Sequence, residues 1–148
     1  VTDGLDQALS NAVPALLELD ELLTVFRGGV PNPTQAPPYV VVRSVIRRPS
    51  DDPDNSGDGR SRVWVADWYV YSVGGGAGTP QDAEIAAIAV AQRVRTQLLD
   101  VRPAVQGFAA GSVGPIRLID SVPPARPDEM TGVPIREVTE IYRLRATN

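Results

Sequence analysis

The sequence contains no cysteine, no histidine and no lysine. Each absence removes a class of chemistry. Without cysteine there is no disulfide and no thiol nucleophile. Without histidine the chain lacks the usual general base near neutral pH and the commonest metal ligand, and zinc sites of the Cys/His kind are excluded. Without lysine there is no Schiff base and no Walker A lysine. Carboxylates, hydroxyls and arginines are what remains for catalysis. Long apolar runs are also missing: the longest, Ile85 to Ala91, is far short of the roughly 18 residues that span a bilayer. The start, Val1-Thr2-Asp3-Gly4, lacks the basic and apolar regions of a signal peptide.

The chain has 148 residues, 43% of them apolar, which fits a single domain over residues 1–148. A domain of this size buries roughly 70% of the surface its unfolded chain exposes, enough to fold without staples. The net charge is −4 and gives no basic footprint for nucleic acid. A chain of this charge that meets DNA is expected to let it pass and not to grip it.

Leu5, Leu9, Ala12, Val13, Leu16, Leu19, Leu22 and Leu23 follow a helical period, so Asp3 to Phe26 reads as helical, broken or kinked at Pro14 and stopped by Gly28 and Gly29. A proline-rich connector, Val30 to Pro38, leads to a β-branched strand from Tyr39 to Arg48. Pro49 to Ser61 is a loop by composition, and a second strand runs from Arg62 to Ser72. Gly74, Gly75, Gly76 and Gly78 read as a flexible joint. Thr79-Pro80-Gln81-Asp82 is a strong helix start, and the helix runs to about Leu99 with Ala83, Ala87, Val90, Val94 and Leu98 on one stripe. After a loop from Asp100 to Gly111, strands are expected at about Ser112 to Val122 and Pro134 to Ala146, separated by a loop from Pro123 to Gly132. The expected class is α+β: a four-stranded, mainly antiparallel sheet with one long helix and an N-terminal helical segment, in the order α–β–β–α–β–β.

One strand is unusual. Between Arg62 and Ser72, Trp64, Ala66, Trp68 and Val70 share one face, while Val63, Val65, Asp67, Tyr69 and Tyr71 share the other. An antiparallel strand with one solvated face should alternate apolar and polar. The second face therefore needs a cover, either the N-terminal helices or a partner, most simply another copy of the chain.

Candidate sites for small-molecule chemistry are weak. Asp52-Pro53-Asp54-Asn55-Ser56-Gly57 looks like the opening of an EF-hand loop, but the twelfth position is Val63 where the motif needs glutamate. The glycines before Thr79 lack the final glycine of a dinucleotide fingerprint and the P-loop lysine. Glu137 and Glu140 differ in parity and point to opposite faces of a strand, and Glu18 and Glu21 read as a solvated helical pair. Arg43 and Arg47, or Arg143 and Arg145, are expected to pair with carboxylates or to blunt a sheet edge. We therefore expect no catalytic residue, no metal site and no cofactor. The competing readings are a non-catalytic binding module and a hydrolase built on two facing carboxylates.

Taken in order, several segments carry a resemblance: Gly28-Gly29-Val30, Pro37-Pro38-Tyr39-Val40-Val41-Val42, the strand Val63 to Tyr71, the capped helix with Asp82-Ala83-Glu84, and the closing Val138-Thr139-Glu140-Ile141-Tyr142-Arg143-Leu144. Across nearly the whole chain this resembles the tail terminator (tail completion) proteins of long-tailed bacteriophages. The resemblance implies a non-enzymatic virion protein, assembled in the host cytoplasm. It would form a ring, commonly a hexamer, at the head-proximal end of the tail tube. Such a ring ends tube growth and docks the head connector or stopper. Implied partners are further copies of itself, the major tail tube protein, the connector and the tape-measure protein. DNA passes through the lumen without specific binding, and no membrane is involved. The nearest alternative is another ring of the neck, a head-completion or stopper protein. On this reading Trp64, Trp68, Tyr69 and Tyr71 divide between core and subunit interface. The loop with Asp51, Asp52, Asp54 and Asp58 faces the lumen or an axial partner, where like charge keeps DNA from sticking.

Overall fold

The structure, a computed structural model, describes residues 4–30, 35–49, 63–75, 78–125 and 134–148. The first helix, α1, spans Leu5–Glu18 and buries Leu9, Ala12, Val13 and Leu17. It continues through Pro14, which is itself buried. A proline inside a helix strips the carbonyl four residues back of its amide donor. Here that carbonyl belongs to Ser10, and the indole Nε1 of Trp68 donates to it at 3.2 Å. A tertiary contact thus replaces the hydrogen bond that proline removes. The helix ends at Glu18, well before Phe26, because Asp20 pulls the chain into a turn. Its carboxylate accepts from the Leu22 amide at 3.0 Å and its carbonyl accepts from the Leu23 amide at 3.0 Å.

The chain released by that turn forms a strand that sequence reasoning missed. β1, Val25–Arg27, pairs in parallel with β2, Tyr39–Arg47. β3, Val63–Gly75, is antiparallel to β2 and to β5, Ile135–Thr147, which carries the edge strand β4, Arg117–Ala125, on its far side. The described residues therefore form a mixed five-stranded sheet in the order β1-β2-β3-β5-β4, in the chain order α–β–β–β–α–β–β. This corrects the expected four-stranded, mainly antiparallel sheet. Three residues are too few to show a strand period, and Leu19, Leu22 and Leu23 extend a helical pattern over them. Gly28, at φ +78°, ends β1.

Other boundaries moved for physical reasons. β4 starts at Arg117, because residues 112–116 serve the core instead: Val113 bridges Ala146 and, with Ile116, is buried. β4 then continues through Pro123 and Pro124, which the edge tolerates because both fall in the register shift between Val122 and Ala125 and have no partner residue in β5. Register shifts near Ile119 and Pro123 mark bulges along it.

The second helix, α2, spans Pro80–Leu98 and starts as the sequence dictates. The Asp82 amide donates to Thr79 Oγ1 at 3.2 Å and the Thr79 amide to Asp82 Oδ2 at 3.1 Å, a complete capping box. Gly74 and Gly75 belong to β3 and not to a joint. A Cβ on Gly74 would lie 2.2 Å from the Ala87 amide nitrogen, so this glycine is what lets α2 lie directly on the strand.

Both helices pack on the same face of the sheet. Leu9, Val13 and Leu17 of α1 and Val94 and Leu98 of α2 join Val40, Val42, Trp64, Trp68, Val70, Tyr142 and Leu144 in one buried cluster. Inside it Glu140, fully buried, receives Arg95 Nε at 2.6 Å and the Tyr142 hydroxyl at 3.4 Å.

A candidate assembly surface

The register that buries even-numbered residues of β2 and β3 turns their odd-numbered neighbours outward. Tyr39, Val41, Arg43, Val45 and Arg47 line up with Val73, Tyr71, Tyr69, Asp67 and Val65, and then with Glu137, Thr139, Ile141, Arg143 and Arg145. Neither helix covers this outer face. Tyr69, Tyr71, Val65 and Ile141 are half-buried there and Val45 is 47% exposed, while Val41 and Val73, toward one end of the same face, are buried. The reading in which the N-terminal helices cover the second face is corrected: α1 lies on the inner face, tied there by Trp68 and by a 2.6 Å contact between the Ser10 and Ser44 hydroxyls.

Trp64 and Trp68 sit in the core, and Tyr69 and Tyr71 on the outer face. Trp64 donates to Asn148 Oδ1 at 3.0 Å and packs edge-to-face on Phe108. The Arg43 guanidinium lies 5.7 Å from the centre of the Tyr71 ring. Asp51, Asp52, Asp54 and Asp58 lie outside the described residues.

The outer face has an ionic centre in which Arg47 and Arg143 pair with a carboxylate, as the sequence reading expected of these strand arginines. Asp67, 3% exposed, accepts from Arg143 Nε at 2.7 Å and Nη2 at 3.0 Å, and from Arg47 Nη2 at 3.3 Å. The Asp67 hydrogen bonds hold the Arg143 guanidinium above its usual range. Arg43 and Arg145 stay exposed beside this cluster. The surface is thus aromatic and apolar around a satisfied charge, a composition suited to protein contact. Glu137 and Glu140 do lie on opposite faces, and Glu18 pairs with Arg27 at 3.0 Å. Among the described residues no group of three or more acidic side chains is placed to hold a metal ion.

Two smaller apolar surfaces were also missed. Leu19 and Leu22, which the helical pattern had placed inside, are 73% and 72% exposed in the turn after α1. A groove of about 190 Å³ runs between α2 and β4, with Ile88, Ala91, Pro124 and Val138 along it. A larger groove, about 700 Å³, opens where β1 stops, between α1 and the edge of β2.

No protein-family profile and no curated protein sequence matches this chain. A solved structure does match in fold: a chain in the "virion of native gene transfer agent (GTA) particle", with a TM-score of 0.70 at 18% sequence identity. The alignment covers 97% of this chain and 98% of that one. The likeness is therefore one of whole domains, end to end.

Proposed function

We propose that this chain is a structural virion protein, a tail terminator. It would form a ring on the head-proximal end of a phage-type tail tube, stop tube growth and present the surface on which the head connector docks. It would do so without an active site. The observation that carries this reading is the outer sheet face, apolar and aromatic yet covered by neither helix, on a domain that shares its fold with a chain of a virion particle. An unpartnered face of this composition fits subunit contact better than solvent. The exposed Leu19 and Leu22 and the groove between α2 and β4 give each copy further, different patches, which a head-to-tail ring requires.

The test is to add purified protein to tail tubes growing from their subunits. A terminator halts elongation, and electron micrographs show a ring on one end of each tube. Tubes that grow to the same lengths with and without the protein count against this role. If the protein forms rings that bind connectors but leave tube growth untouched, it is a neck ring instead.

A further inference from the structure

We infer that copies of this chain join by pairing sheet edges, with β4 of one copy adding to the open half of β2 in the next. The inference rests on the ring reading above and adds a contact between sheet edges to the outer face. β1 covers β2 only at residues 40–42, because Gly28 turns the chain away at φ +78°. The Thr24 carbonyl accepts from the Val40 amide at 2.8 Å, and the Gly28 amide donates to the Val42 carbonyl at 2.9 Å. By the two-residue period, the amides and carbonyls of Ser44 and Ile46 point to that same edge. Among the described residues no backbone group meets them there. The 700 Å³ groove bordered by Asn11, Pro14, Arg27, Gly28 and Ser44 is the space into which β1 would have continued.

The opposite edge of the sheet is β4, exposed along almost its whole length, with Ile119 at 43% and Val122 at 44%. Its proline-free part, Arg117 to Val122, is long enough to span the open residues 43–47 of β2. Strand directions also agree. β4 runs antiparallel to β5, which runs parallel to β2, so a neighbour related by simple rotation brings its β4 against β2 in the antiparallel sense without turning the sheet over. Antiparallel is the slightly more stable pairing. Charge agrees as well, since exposed Asp120 would approach a strand carrying exposed Arg43 and Arg47. A contact between two different edges is heterologous and propagates around a ring.

Because the chain has no cysteine, disulfide trapping is clean. Val45→Cys would be combined in one chain with Asp120→Cys, and separately with Val122→Cys, all on the outer face. Across paired strands the separation suits a disulfide. Oxidation of the assembled protein should give a ladder of covalent multimers from at least one double variant and none from the single variants. The second arm is Ser44→Pro, which removes an outward amide that β3 does not use. Because it also loses the Ser10–Ser44 hydroxyl contact, its control is Ser44→Ala, which loses the same contact and keeps the amide: Ser44→Ala should keep the ring and Ser44→Pro should lose it. A parent ring in which neither double variant cross-links and Ser44→Pro still assembles overturns edge pairing and leaves the ring reading standing. A parent chain that stays monomeric at every concentration overturns both.

Discussion

At the residue scale, the buried charge is the most sensitive feature. Glu140 is fully buried, and its carboxylate is satisfied from Arg95, whose own side chain is 43% exposed. Removing one partner of a buried pair leaves an uncompensated charge, at a cost of about 3–5 kcal/mol when both groups are buried. Water reaching the site through the space Arg95 leaves softens that penalty. Arg95→Ala is therefore expected to cost about 2–3 kcal/mol in urea unfolding, and pairing it with Glu140→Leu should recover most of the loss. Tyr142, beside Glu140, gives a pH signature. Burial first, and the neighbouring carboxylate second, push its phenol far above the ordinary value of 10. A folded-state value raised in this way makes a contribution that is fully present below pH 10. It is lost as the pH rises toward the folded value, because the unfolded chain releases its proton first. Tyr142→Phe should flatten the fall of stability above about pH 10, read as unfolding midpoints on either side of that pH. Tyr39, raised for the same first reason, remains in both proteins as an internal control.

At the element scale, α1 and α2 are each fixed to the sheet by a contact the local sequence could not announce. For α1 it is the Trp68 indole on the carbonyl that Pro14 frees. In Pro14→Ala the helix supplies its own amide to Ser10, so Trp68→Phe should cost less there than in the parent chain. The double-mutant cycle should show a coupling of about 1 kcal/mol. For α2 it is Gly74. Any side chain at this position meets the backbone of Ala86 and Ala87. Gly74→Ala should therefore destabilise by about 1–3 kcal/mol, or force α2 off the strand, visible as a lower denaturant midpoint. The capped start of α2, β2 and the two-faced β3 were legible from residues such as Thr79, Pro80 and Asp82, because caps and alternation act within a few residues. β1 was not: its pairing with β2 is parallel and crosses the proline-rich connector, and Val25–Arg27 alone has no period.

At the scale of the whole molecule, the placement of both helices on one face decides what the protein can do. Among the described residues it leaves a sheet with an aromatic outer face and two unlike edges, β4 and the half of β2 that β1 does not cover. If the outer face is a subunit contact, Tyr69→Arg and Tyr71→Arg should abolish ring sedimentation. Both residues are only half-buried, so the fold should survive, with an unchanged circular dichroism spectrum. Rings that sediment unchanged in both variants would remove this face from the contact.

The sequence alone determined what chemistry is impossible without cysteine, histidine or lysine, where α2 begins, and that β3 is apolar on both sides. Those are properties of composition and of neighbours along the chain. The tertiary structure decided which side is buried. Leu19 and Leu22 carry the same helical signal as Leu9 and Val13, yet the helix ends before them at Glu18, and the Asp20 carboxylate in the turn is held by Arg93 of α2 at 2.8 Å. Likewise Glu140 and Asp67 read as ordinary strand carboxylates until the register brings Arg95 to one and Arg143 to the other. Burial depends on what the rest of the chain packs against a residue, and periodicity records only that a face is apolar.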